Sequence, residues 1–210
     1  MATVSQMLAA ARSELGYAET GGNRTKFAAE AGHPNGAPWC LTFLVALAKR
    51  TGLVLPRYDT AYTPTMAQAF RAAGADFRQP QVGDFAFFDW PDSKHRIQHV
   101  GLVESFNSTS VVCIEGNTSA GASGSQDNGD VVARRRRPLR YVATFGRPVY
   151  DPEDTVALTE ADVMRVAKAT RDLLMADAGL GPVKHHIVAD NGRLNEVVRN
   201  TRELLDAGSE

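Results

Sequence analysis

The sequence predicts an α+β fold: N-terminal helices packed on an antiparallel sheet, with a small helical appendage at the C-terminal end. Three observations predict it. Up to about residue 73 the apolar residues recur at helical spacing, and from Val82 they come in short blocks of strand length. Helices first and strands afterwards favour a segregated antiparallel sheet over an alternating parallel one. Beyond Tyr150 the composition turns acidic and helical again.

Met7, Leu8, Ala11 and Leu15 mark one face of a helix over 5–15, with Ser5 as its N-cap and Gly16 closing it. A loop-rich stretch with a short helical piece over 26–31 follows, then His33-Pro34-Asn35-Gly36, a turn signal. Pro38-Trp39 leads into the apolar run that begins at Cys40. This helix is expected to reach about Arg50 and to stop at Gly52, with Lys49 and Arg50 at its negative end. Another helix is expected over 64–73, with Pro64 in its first turn and Gly74 past its end. Gly83-Asp84 turns into Phe85-Ala86-Phe87-Phe88, an apolar block of buried-strand length. Strands over 99–105 and 110–115 form a hairpin around Asn107. Residues 117–130 read as a Gly/Ser/Asn-rich loop, and 131–133 and 140–145 as further strands.

Two domains are expected, 1–150 and 151–210. The first carries 16 Lys/Arg against 12 Asp/Glu and the second 7 against 12, within a chain of net charge −1. So even a balance argues against a dedicated nucleic-acid binder. No stretch approaches the ~18 apolar residues of a membrane span. Two cysteines without a C-x-x-C pair make neither a disulfide framework nor a zinc site. Residues 1–6 lack the charged and apolar regions of a secretory signal, so synthesis in a cytoplasm is expected.

Cys40 stands at the first turn of its helix, where the dipole and unpaired N–H groups favour the reactive thiolate. Downstream stand His99 and the run Glu115-Gly116-Asn117. With the hairpin turn on Asn107, residue 99 falls opposite residue 115, and residues of one parity share a face. His99, Glu115 and Asn117 then line one surface, where a carboxylate or amide fixes the imidazole's tautomer. A register shifted by one residue would break that arrangement. Laid against it, Cys40 gives nucleophile, base and orienting group in order. Each residue also has a plain packing explanation, and only their joint placement points to chemistry. Cys113, among Val111, Val112 and Ile114, reads as core.

Several segments together resemble a known family: Pro38-Trp39-Cys40 before a helix, Gly83-Asp84-Phe85-Ala86-Phe87-Phe88, His99-Val100-Gly101-Leu102-Val103 and Ile114-Glu115-Gly116-Asn117-Thr118-Ser119. The loop Gly124-Ser125-Gln126-Asp127-Asn128-Gly129 belongs to the same set. Over residues 1 to about 150 the chain resembles CHAP (cysteine, histidine-dependent amidohydrolase/peptidase) peptidoglycan hydrolases, especially those of phage endolysins of actinobacterial hosts. The resemblance implies a papain-like fold, with Cys40 as nucleophile, His99 as base, Glu115 as the acid that orients it and Asn117 as a polar fourth member. It implies amide hydrolysis through a thioester, with the backbone N–H of Cys40 as oxyanion donor. No cofactor or metal is implied. Some members bind calcium through an Asp-rich loop ahead of the nucleophile, but residues 23–39 hold no Asp and only Glu30.

The expected function is therefore a phage-type endolysin, made in the host cytoplasm and acting on the cell wall after release. Its substrate would be peptidoglycan, cut as an N-acetylmuramoyl-L-alanine amidase or a peptide endopeptidase. A non-catalytic wall-binding or virion structural protein of the same fold is the alternative, and a thiol hydrolase of small peptides a third. The run Arg134, Arg135, Arg136, Arg137 reads either as a solvated edge or as a site for anionic wall polymers. In the tail, Val166-x-x-x-Thr170-Arg171-Asp172-Leu173-Leu174 matches Val197-x-x-x-Thr201-Arg202-Glu203-Leu204-Leu205, 31 residues on. It predicts two short helices, over 158–178 and 194–205, that serve wall targeting or self-association into a homo-oligomer. His185-His186 has no partners at metal spacing and is assigned no role.

Overall fold

The structure is a computed structural model that describes residues 2–91, 96–121, 129–152 and 168. The chain divides into two units, Met1–Asp154 and Thr155–Glu210. In the second unit only Lys168 is described; it is helical and exposed. The expected tail helices over 158–178 and 194–205, and the loop segment 122–128, otherwise lie outside the described residues.

Four helices precede the main sheet strands: α1 Val4–Arg12, α2 Lys26–Ala31, α3 Cys40–Thr51 and α4 Thr63–Ala72. The α1 start is corrected from Ser5 to Thr3. Thr3 Oγ1 accepts from the Gln6 N–H at 3.2 Å, while Gln6 Oε1 accepts from the Thr3 N–H at 3.0 Å. That reciprocal cap needs a Glu or Gln three residues on. Ser5 has Leu8 there, which cannot return the bond. The helix also ends early, at Arg12, and Leu15 packs on the core from the turn that follows.

Helix α3 is buried from Cys40 through Ala48, because α1 and α2 cover one side and the sheet the other. It stops at Gly52, whose left-handed φ of 75° lets the chain turn back at no Cβ cost. At that negative end Lys49 Nζ donates to the Ala31 carbonyl, and Arg50 reaches Glu14 and Glu30.

Six strands form one antiparallel sheet: β1 Asp76–Phe77, β2 Phe85–Phe88, β3 His99–Phe106, β4 Ser110–Thr118, β5 Val131–Pro138 and β6 Val142–Gly146, in the order β1-β6-β2-β3-β4-β5. The fold is thus α+β as expected. Phe85, Phe87, Val100, Leu102 and Ile114 face the helices and build the main core. Ala86, Phe88, Val103, Val111, Cys113 and Phe145 form a second cluster, joined by Trp90 and Tyr141. Two strand expectations are corrected. β5 does not stop at residue 133 but continues through all four arginines, paired along β4 from Ser110 to Glu115. The strand expected from Arg140 begins at Val142, after a 3-10 turn over Leu139–Tyr141 that follows Pro138. Strand β1 has no counterpart in the sequence reading.

Candidate active site

Cys40 is the first residue of α3 and His99 the first residue of β3. Trp39, just before the thiol, is seated by two local features. Its indole N–H donates to Glu19 Oε2 at 2.7 Å, and its ring stacks on Phe27. It also lies over Gly116 of β4, where a Cβ would stand 2.7 Å from the Trp39 ring and 2.8 Å from Phe43 Cβ. Absence of a side chain at Gly116 therefore lets the start of α3 sit directly on the strand that carries Glu115.

The expected register is corrected by two residues. Leu102 pairs with Ile114 and Val103 with Cys113, which carries Gly101, not His99, opposite Glu115. Because side chains alternate with period two, a shift of two keeps the face and changes only the partner. Gly101 supplies the room: a Cβ there would stand 2.7 Å from Glu115 Cγ, so the carboxylate passes over the glycine to reach His99 diagonally. His99 Nε2 and Glu115 Oε2 are 2.9 Å apart, both side chains wholly buried.

A β-bulge at Glu104 produces this parity. Next to the turn Phe106 pairs with Val111 and Ser105 with Val112, and Glu104 is the extra residue before Val103 meets Cys113. Without it the pairing set at the turn would carry His99 opposite Thr118 and turn it away from the Glu115 face. Glu104 is tied from both sides, by Arg12 Nε at 2.7 Å and by Arg134 Nε and Nη2. The Arg134 hydrogen bonds outweigh burial and pull its carboxyl down to about 2.

Electrostatics tie the site together. Burial alone would lower the His99 pKa, but the Glu115 charge and the Cys40 thiol outweigh it and raise it to about 9. Since Nε2 is taken by Glu115, Nδ1 is the nitrogen left for the thiol, and it has no hydrogen-bond partner among the described residues. Burial pushes the Glu115 carboxyl up; hydrogen bonds from Arg137 and the charge of His99 more than offset that and hold it below the ordinary value. Arg137 Nε donates to Glu115 Oε1 at 2.8 Å and Nη2 donates to Oε2 and to Thr118 Oγ1. The imidazole also lies beside the stacked pair of Phe88 and Trp90, 6.1 Å from the Phe88 ring and 6.3 Å from that of Trp90.

The structure thus brings Cys40, His99 and Glu115 together. Asn117 is buried two residues beyond Glu115, with a left-handed φ of 56°, and its carbonyl accepts from the Gly129 N–H. Cys113 is a free, buried thiol in the second cluster, raised well above its ordinary pKa by burial. Among the described residues no group of three or more His, Cys, Asp or Glu is placed to hold a metal ion, and no helix is long and apolar enough to cross a membrane.

Residues 32–117 match the family model for the CHAP domain. This segment is a CHAP domain. The matched span takes in Cys40, His99, Glu115 and Asn117, and the family acts on peptidoglycan as amidases or peptidases. No curated protein and no solved structure matches the chain.

Two residues of this CHAP domain's site were missed in the sequence. Arg137 was hidden in a run of four like charges; it becomes visible once β5 is extended, because it then shares a face with Cys113 and Glu115. Trp90 follows β2 directly and stacks on Phe88 with rings 4° from parallel, a contact with no sequence signal.

Proposed function

We propose that this CHAP protein is a peptidoglycan hydrolase of the phage endolysin type, in which Cys40 is the nucleophile. The observation that carries the reading is the arrangement of His99, held at Nε2 by a buried carboxylate with Nδ1 left for the thiol. His99 takes the Cys40 proton, and the thiolate attacks the carbonyl carbon of a wall amide. The first N–H groups of α3, that of Cys40 foremost, stabilise the oxyanion. The tetrahedral intermediate expels the amine, which leaves with the proton from His99, and a thioester remains on Cys40. His99 then deprotonates a water that attacks the thioester and releases the acid. Glu115 keeps the imidazolium favourable throughout and is not itself protonated; Asn117 is the polar fourth member. The protein is made in a host cytoplasm and meets its substrate, an actinobacterial wall, after release.

Mass spectrometry of muropeptides released from purified actinobacterial walls, with Cys40→Ala alongside, tests the proposal. Products that depend on Cys40 are expected, and their masses separate amidase from endopeptidase cleavage. A folded protein that releases nothing from several wall types would instead be a wall-binding or virion structural protein.

A further inference from the structure

Arg137 has a place in the structure that a solvated basic run would not give it. It sits on the edge strand β5, yet it is buried, and its guanidinium covers both oxygens of Glu115. Glu115 Oε2 is the same atom that faces His99 Nε2. The fork is itself pinned: Nη2 also donates to Thr118 Oγ1 at 3.2 Å, and Cζ stands 5.0 Å from the centre of the Trp90 ring. Trp90 in turn stacks on His99. A wholly buried carboxylate facing a lone imidazole would carry a large desolvation cost and drift toward its neutral acid. As the neutral acid it would no longer favour the imidazolium.

We propose that Arg137 is a positioning residue, whose guanidinium keeps Glu115 ionised and aimed at His99 so that the imidazolium–thiolate pair with Cys40 can form. This rests on the reading of Cys40 and His99 given above. Arg137 lies beyond the span that matches the CHAP family, so the assignment belongs to this chain's own β5. Four groups from four elements then alternate in charge: guanidinium, carboxylate, imidazolium, thiolate.

The test measures alkylation of Cys40 by iodoacetamide against pH in the full chain, followed by peptide mass so that Cys113 does not contribute. Wild type, R137M, R137K, E115Q and E115Q/R137M are compared, with melting temperatures and wall lysis by C40A measured beside them. R137M is expected to move the acid limb of the profile up by about one pH unit, a roughly tenfold slower reaction at the foot of the limb. R137K keeps the charge without the fork and should move it by less; it also preserves the test if R137M does not fold. In the E115Q background, loss of Arg137 should add no further shift. An acid limb unmoved in both R137M and R137K, with E115Q displaced, overturns the proposal and leaves Arg137 a packing residue. Wall lysis retained by C40A, or an E115Q profile like wild type, overturns the underlying reading of the site instead.

Discussion

Gly101→Ala is the sharpest probe of how the carboxylate reaches the ring. A Cβ at residue 101 would lie 2.7 Å from Glu115 Cγ and 2.9 Å from Cys113 Cβ. Carbon atoms rest about 3.5–4.0 Å apart, so Glu115 must retreat by about 1 Å. It cannot do so freely, because its two oxygens are held by Arg137 and His99. Overpacking of this kind costs about 1–3 kcal/mol of stability, and a misplacement of about 1 Å at a catalytic group costs on the order of a hundredfold in rate. Release of dye from labelled peptidoglycan, with thermal unfolding measured beside it, reads both quantities. The variant is expected to stay folded with a melting temperature a few degrees lower, and to lose about two orders of magnitude in activity. A folded Gly101→Ala protein within twofold of wild-type activity would refute the idea that the Glu115 position controls His99.

Deletion of Glu104 removes the extra residue and makes Ser105–Val112 and Val103–Cys113 consecutive pairs, so His99 should stay on the Glu115 face and lysis of labelled walls should persist, as it should in Glu104→Gln; loss of lysis in the folded deletion variant would show that the bulge itself shapes the site. The His99 proton, bound with a pKa raised to about 9, contributes stability that is fully present below pH 6.5 and lost as pH rises through about 9. Chemical unfolding should therefore weaken across that window by up to about 3 kcal/mol, and His99→Gln should flatten the dependence; an unchanged slope in the variant contradicts the assignment. Of the arginine run only Arg134, Arg135 and Arg136 retain exposed surface. Serine at those three, with Arg137 kept, should weaken sedimentation with cell walls at low salt, and unchanged sedimentation removes wall attraction as their role.

What could be read from the sequence was whatever local pattern determines. The apolar run after Cys40 and its stop at Gly52 carry their own helix and its end, and α3 lies where expected. Period-two alternation groups residues within β3 and within β4, and His99 and Glu115 do share a face as expected, but through a bulge at Glu104 that the alternation does not show. It could not tell which residue stands opposite which, because a bulge changes the partner count without any signature in hydrophobicity. The Thr3 cap was missed because Ser5 is a good cap in isolation, and only the return bond from Gln6 decides between them. Arg137 was missed for a related reason. Four successive arginines look solvated, yet consecutive residues of a strand face opposite sides, and burial of one of them depends on a carboxylate 22 residues away in sequence.

Two glycines in the site motifs show why these short sequences need their particular spacing. Gly101, two residues after His99, faces Glu115; Gly116, one residue after Glu115, faces Trp39 and Phe43 on the other side of the sheet. Neither has a left-handed φ, so what each supplies is room and not backbone freedom. One lets the carboxylate cross the strand to the imidazole, and the other lets the helix carrying the thiol settle on that same strand. Substitution at Gly116 should therefore act on Cys40 through Trp39, and substitution at Gly101 on His99 through Glu115. The thiol, the ring and the carboxylate come from three separate elements, and β4 is where their positions are reconciled. Its alternation places Glu115 toward one face and Gly116 toward the other in consecutive residues, so both approaches depend on the register of this one strand.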